Sequence, residues 1–300
     1  MPAWLRRAAD AAVAALVRAL LAPIRALGPD RAAALGAAVA RTLGPLLPAH
    51  RTALGNILAA FPDRPAAEHR AIAREAWDNL GRVACEYVHM DRLWDFDPER
   101  PGTGRIEASP ETVARYMALA EDGKPALLFA AHLANWELPA VAAARHGLAS
   151  AVLYRTPNNP HVARDIVALR AGTMGRLIAA SPAAPVRMLE ALDEGLHVGM
   201  LIDQRFGRGP RVPFLGRPAA SNPLLARLAR RFPDCPVHGA RAIRLPGGRF
   251  RLELTEAIAL PRGPDGRVDV EAATALLNAV VEGWVREHPG QWLWMHRRWR

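Results

Sequence analysis

Apolar and charged positions alternate with a helical period from the first residues. At about 100° per residue, Leu5, Ala9, Ala12, Leu16, Leu20 and Leu27 share one face of a helix over residues 1–27. Arg7, Arg18 and Arg25 stack on the opposite face, since separations of 11 and 7 residues return the chain to within about 20°. Further helical patterns run from Asp30 to about Leu47 and, after Pro65, from Ala66 to about His89, with Ile72, Trp77, Leu80 and Val83 as apolar positions. Residues 95–110, rich in Pro, Gly and Asp, read as a loop. The texture then changes. ALLFAAH (126–132), ASAVLYR (149–155), LHVGMLI (196–202) and PVHGARAI (236–243) are apolar runs of strand length, with helical patterns at 135–146, 161–171 and 185–194 between the first three. That rhythm predicts an α/β fold, a mainly parallel sheet with helices on both faces, preceded by an N-terminal helical region. RFRLELTE (249–256) follows a Pro-Gly-Gly turn at 246–248 and reads as an added antiparallel strand, and a last helix spans about Val270 to Glu287. The expected organisation is an amphipathic membrane-associating helix at 1–27, a helical region at 28–110, and an α/β core with an aromatic and basic tail at 111–300. Residues 28–300 are expected to form one compact unit.

Composition narrows the partners. At 300 residues the chain can bury a sizeable core, and with half of its residues apolar it is not a disordered protein. A net charge of +10 points to an anionic partner: phosphate-bearing lipid, acidic protein or nucleic acid. Lys124 is the single lysine, so the excess is arginine; an alanine-rich, biased composition accounts for part of this, while guanidinium suits bidentate phosphate contacts. The arginines are dispersed and no nucleic-acid-binding motif is present, which argues against nucleic acid. Cys85 and Cys235 offer neither a disulfide framework nor metal-ligand spacing, which fits a reducing compartment. The N-terminal stretch has no small-residue cleavage site and is too charged for an ordinary bilayer span. Its basic polar face suits a membrane interface; the same pattern also suits a helix packed on its own domain and, less well, a short transmembrane segment.

In open α/β sheets the reactive side chains gather where strands end. His132 ends the first apolar run, and Asn135 is expected to cap the following helix, placing Trp136 and Glu137 in its first turn. Pro139 is tolerated there, where amides lack internal partners. An imidazole near neutrality beside a carboxylate suits acyl transfer to an alcohol, with the carboxylate holding the ring's tautomer. The spacing alone carries little, because ten histidines and 29 acids give about one such pair by chance, and a strand-end histidine also serves as a structural hydrogen-bonder. Arg155, directly after the second run, and Arg170, after the next helix, are candidate donors to an oxyanion or to phosphates. Asp203 and Gln204 end the third run and brace the pocket or contact substrate. Arg205, Arg208, Arg211 and Arg217 form either a phosphate cradle or a solvated basic loop. Trp284, Trp292, Trp294 and Trp299 lie among His296, Arg297, Arg298 and Arg300, as a headgroup-level contact or as a seal on the core.

HLANWE (132–137) resembles the His-x4-Asp/Glu block of the late acyltransferases of lipid A biosynthesis, the lauroyl/myristoyl enzymes of Gram-negative bacteria. LGNILAAFPDRPAAE (54–68) resembles their early Asn-x-x-x-x-Phe-Pro segment, and NLGRVACEYVH (79–89) the helix after it. YRTPNNP (154–160) is similar to their Tyr-Arg-Pro-x-x-Asn-Pro region with Thr156 for a proline. LIDQRFGRGPRVPFLGRPA (201–219) resembles the Asp-Gln block and its continuation, with Leu215 for a Phe. HPGQWLWMHRRWR (288–300) resembles the terminal signature, with Trp292 and Trp299 replacing other aromatics. The resemblance implies a glycerolipid-acyltransferase-like fold, and His132 with Glu137 as the catalytic dyad. It implies an acyl-acyl carrier protein as donor and, as acceptor, the hydroxyl of a Kdo-bearing lipid A precursor at the cytoplasmic face of the bacterial inner membrane. No metal, nucleotide or other cofactor is implied. Two other readings stay open: an acyltransferase for another glycolipid, of the phosphatidylinositol-mannoside type, and a non-catalytic basic membrane-binding protein.

Overall fold

The N-terminal third is helical: α1 (Ala3–Ala26), α2 (Pro29–Leu43), α3 (Pro48–Ala60), α4 (Ala66–Glu86) and α5 (Met90–Leu93). The computed structural model describes every residue except Met1, Pro101, Asn158 and Arg300, so Asn158 of the 154–160 block and Arg300 of the terminal block lie outside the described residues. Helices α2 and α4 cross at Gly36 and Gly81, where a β-carbon on either would collide with the backbone carbonyl of the other. The absence of side chains there is what lets the two backbones meet.

The rest of the chain alternates: β1 (Ile106–Ala108), α6 (Pro110–Glu121), β2 (Leu127–Ala130), α7 (Leu138–Arg145), β3 (Ser150–Tyr154), α8 (Pro160–Ala171), β4 (Arg176–Ala179), α9 (Ala184–Asp193) and β5 (His197–Leu201). The hairpin β6 (Arg211–Phe214) and β7 (Arg217–Ala220) follows, then α10 (Leu224–Arg231), β8 (Val237–Leu245), β9 (Arg249–Leu254) and α11 (Val270–Glu287). Helix starts carry their local signals. Ser109, Asn159 and Asp269 cap α6, α8 and α11 by accepting from amides of the first turn, and proline opens α6 and α8.

A seven-stranded sheet in the order β1-β9-β8-β2-β5-β3-β4 forms the core, parallel throughout except for the β8–β9 pair. Leu127, Phe129, Val198 and Met200 point to one face, into a core shared with Met188 of α9, Leu225 of α10 and Val281 of α11. The opposite face carries α7 and α8. The α/β class, the mainly parallel sheet and the preceding helical region stand as the sequence predicts.

Several local expectations do not. The 95–110 loop contains β1, which pairs with β9 at the sheet edge, and β4 and the β6–β7 hairpin arise where no strand was expected. Both are short, and β6–β7 is closed by Leu215 and Gly216 at positive φ, a turn set by backbone twist that Leu215 does not advertise. Helix α7 begins at Leu138, not 135, so Trp136 and Glu137 precede it. For the basic face of α1, left open between a membrane interface and its own domain, Arg18 pairs with Asp165 of α8 at 2.8 Å and Arg25 with Asp91 at 2.8 Å, contacts of a helix packed on its own domain. The terminal tryptophans were read in part as a headgroup contact. Trp292 and Trp294 are fully buried, and Trp284 nearly so, sealing the core.

Candidate active site

The register of the central strands sets the site. Ala130 of β2 lies opposite Leu201 of its parallel neighbour β5. Two residues beyond each, His132 and Asp203 meet: Asp203 Oδ1 receives the His132 Nδ1–H at 2.8 Å, and Oδ2 receives the His132 amide at 2.9 Å. Trp292 Nε1 donates to the same Oδ2 at 2.7 Å. Asp203 is wholly buried. Burial alone would raise its carboxyl pKa, but the charge and hydrogen bonds of His132, with a contribution from His296, hold it well below the usual carboxylate range. In the neutral ring, with Nδ1–H committed to Asp203, the lone pair falls on Nε2, which lies 3.2 Å from Gln204 Nε2, a donor to it in that tautomer. That face of the ring opens on a groove and tilts against Trp136, centroid to centroid 5.2 Å.

The turn that presents His132 is fastened from outside. Ala134 adopts φ +48°, a conformation costly for a residue with a β-carbon and sustained by its surroundings. Its amide donates to the Gln291 carbonyl at 2.9 Å, and its carbonyl accepts from Asn79 Nδ2 at 3.1 Å. Asn135 accepts the Glu137 amide through Oδ1 and donates through Nδ2 to Glu86 at 2.9 Å. Glu86 in turn holds Arg244 through both carboxylate oxygens, and Arg244 Nε donates to Asn79 at 2.9 Å. Asn135 is thus fully buried and absent from the groove wall. It holds the turn, and the expected substrate contact is corrected accordingly.

Glu137 does not face the imidazole nitrogen that was expected to receive its support. It pairs with Arg170 at 2.5 Å, and Arg170 lies over the rings of Tyr87 and Tyr154, at 5.6 and 5.5 Å. Burial would lower the guanidinium pKa, but Glu137, with Tyr87 contributing, offsets this and raises it above the ordinary value. Tyr87 and Tyr154 sit in quoted motif blocks, yet no spacing rule connects them to Arg170, so sequence reasoning missed their role.

His132, Trp136, Glu137, Arg155, Arg170, Gln204 and Arg205 line one groove with a cavity volume of about 360 Å³, within the usual range of small-molecule sites. Arg208 lies outside it, exposed in the following loop. Below the polar mouth the wall is apolar. Leu128, Gly199 and Val152 form one row across β2, β5 and β3, facing Ala140 and Ala143 of α7 and Met174 beyond α8. An imidazole oriented by a buried carboxylate, at the head of an apolar slot with cations at its rim, can deprotonate an alcohol beside an acyl chain.

The model of the bacterial lipid A biosynthesis acyltransferase family matches residues 3–300. The chain belongs to that family. No individual curated protein matches it. Membership makes it an acyltransferase of lipid A biosynthesis, and the six blocks that resemble the family all fall inside the matched span. In this family member the block at 132–137 forms the fastened turn, the Asp-Gln block supplies Asp203 and Gln204 at the imidazole, and the terminal signature supplies Trp292 to Asp203.

Proposed function

We propose that the protein transfers a fatty acyl group from acyl-acyl carrier protein to a hydroxyl of a Kdo-bearing lipid A precursor, at the cytoplasmic face of the inner membrane. The observation that carries this reading is His132, its Nδ1–H held by Asp203 and its Nε2 directed into an apolar slot. The acceptor hydroxyl displaces the Gln204 amide at Nε2 and gives up its proton as its oxygen attacks the thioester carbonyl. Asp203 stabilises the imidazolium. Arg155, exposed on the groove and without an ion-pair partner among the described residues, stabilises the tetrahedral oxyanion. The intermediate collapses with expulsion of the thiolate, which takes the proton back from Nε2. The Glu137–Arg170 pair shapes the wall beside the imidazole and engages the acceptor, and the Leu128–Gly199–Val152 row holds the acyl chain.

The membrane placement rests on α1. Arg18 and Arg25 pair with carboxylates of the protein, and Trp4, Leu5, Val13, Leu16 and Leu20 remain exposed, with Leu16 at 60% and Leu20 at 59%. Among the described residues no single helix is long and apolar enough to cross a membrane; the segments Pro29–Leu46 and Pro48–Ala60 reach that composition only together and are bent by 88°. An interfacial helix fits these facts. Incubating the purified full chain with acyl carrier proteins bearing different chains and with the lipid A precursor, then weighing the product, tests the reading. One added acyl group is the expected result; recovery of unmodified precursor with every donor rejects it.

A further inference from the structure

The stretch between Asp203 and Asp234 contains seven arginines and no acidic residue. Only Arg230 among them has a carboxylate partner within the described residues, Asp265 at 2.9 Å. Arg205, Arg208, Arg211, Arg217, Arg227 and Arg231 are exposed, and Arg217 is braced over the Trp299 ring at 5.4 Å. An exposed, unneutralised cluster of this sort raises the local concentration of an anionic partner and speeds its encounter.

The cluster is held in place and close to the chemistry. The Phe206 amide donates to the Ala220 carbonyl and the Ser221 amide to the Pro210 carbonyl, both at 2.9 Å, which clasps the 205–210 loop to the end of β7. Gln204 touches His132, and Arg208, four residues on, has its Cα within about 14 Å of the Gln204 Cα even in a fully extended chain. Arg205 and Phe206 themselves form the groove rim.

Its surroundings separate it from a lipid surface. Exposed large apolar side chains concentrate between Trp4 and Leu58, on α1 to α3, and outside that span only Met117, Val186 and Phe206 are comparably exposed among the described residues. Helix α1 rests on α8 through Arg18 and Asp165, whereas the β6–β7 hairpin packs against α11 on the opposite face of the sheet. The groove mouth therefore lies between an apolar shoulder and a cationic one. A membrane contact calls for the first; an acidic soluble protein needs the second, where Phe206 alone is a comparably exposed apolar side chain among the described residues.

We propose that the arginine-bearing loop and hairpin over residues 205–217, extended by Arg227 and Arg231 of α10, is the docking surface for an acidic protein that carries the donor acyl chain as a thioester. The inference rests on the carrier-protein reading of the donor given above. Docked there, the carrier delivers its acyl group across the rim at Arg205, while the lipid acceptor enters from the α1–α8 side. The two substrates thus reach His132 from different shoulders without competing for one surface.

The test measures the full-length protein with one acyl group offered on carrier protein and on coenzyme A. For the Arg208→Glu/Arg211→Glu variant, the ratio of kcat/KM for the carrier-borne donor to that for the coenzyme A donor should fall at least 10-fold. The Arg208→Lys/Arg211→Lys variant should restore most of it, and added salt should raise the wild-type KM for the carrier. Thermal melting of each variant separates this from misfolding. An unchanged ratio in a folded variant, with a wild type active on carrier-borne donor, overturns the docking surface alone. Loss of flotation on anionic vesicles with an unchanged ratio assigns the arginines to lipid and overturns it equally. A wild type that uses only the coenzyme A donor removes the carrier reading, and the docking surface falls with it.

Discussion

Asp203 carries its negative charge where no water reaches it, and the compensation is local: an imidazole N–H, a backbone amide and an indole N–H all converge on its two oxygens. Replacing it by asparagine leaves the volume unchanged but removes the charge that fixes the ring and stabilises the imidazolium. Asp203→Asn is expected to lower kcat by about 10²–10⁴, approaching the loss for His132→Ala, with little change in KM for either substrate. Steady-state kinetics on both variants checks this, and near-normal turnover in either would remove the residue from the mechanism. The same carboxyl predicts an acid response. Its pKa in the folded protein lies below its unfolded value of 3.8, so its stabilisation is fully present above about pH 4 and is lost as the pH falls through the folded value. Thermal midpoints recorded from pH 5 downward should therefore drop more steeply for the wild type than for Asp203→Asn.

At the level of elements, the catalytic turn depends on helices and strands remote from it in sequence. Arg244 of β8 and Glu86 of α4 form a buried pair that holds Asn135 and Asn79, and through them both ends of the Ala134 kink. Arg244→Ala leaves the Glu86 carboxylate buried without its partner and is expected to destabilise the fold by about 3–5 kcal/mol, read from denaturant midpoints. A cost below about 1 kcal/mol would mean that the turn is held by its backbone bonds alone. The groove floor offers a second test. Gly199 lies mid-row between Leu128 and Val152, and a β-carbon there would meet no atom within 4 Å. Gly199→Val should fold normally and fill the slot, shifting selectivity toward a shorter acyl chain by 10-fold or more. Competition between two acyl donors measures the shift; an unaltered product ratio would place the acyl chain elsewhere.

Across the whole molecule, exposed large apolar side chains gather on α1 to α3. Arg18 and Arg25 of α1 are turned toward Asp165 and Asp91, which leaves the leucines outward, and α1 is thereby coupled to α8, the helix that carries Arg170. Leu16→Glu/Leu20→Glu alters only exposed positions and should leave the fold intact while releasing the protein from lipid vesicles in flotation assays. Retention of vesicle binding would move the membrane contact to α2 and α3, where Leu35, Val39, Leu43 and Leu58 are also exposed.

Periodicity, strand length and turn residues sufficed for the helical region, the mainly parallel sheet and the antiparallel β9, because these depend on patterns local in the chain. The same local patterns marked His132, Asp203 and Gln204 as strand ends and Arg155 and Arg170 as cations near them. They could not reveal which strand ends are neighbours. Sheet order places β5 beside β2, so the carboxylate at His132 Nδ1 is Asp203, 71 residues away, while Glu137, five residues away, turns to Arg170. Nor could composition tell that the α1 arginines would find carboxylates on the protein, or that the terminal tryptophans would close the core. The sequence by itself determined the elements and the chemical groups at their ends. Only the tertiary structure decided which groups pair, because a hydrogen bond or ion pair is fixed by distance in space, and chain separation does not set that distance.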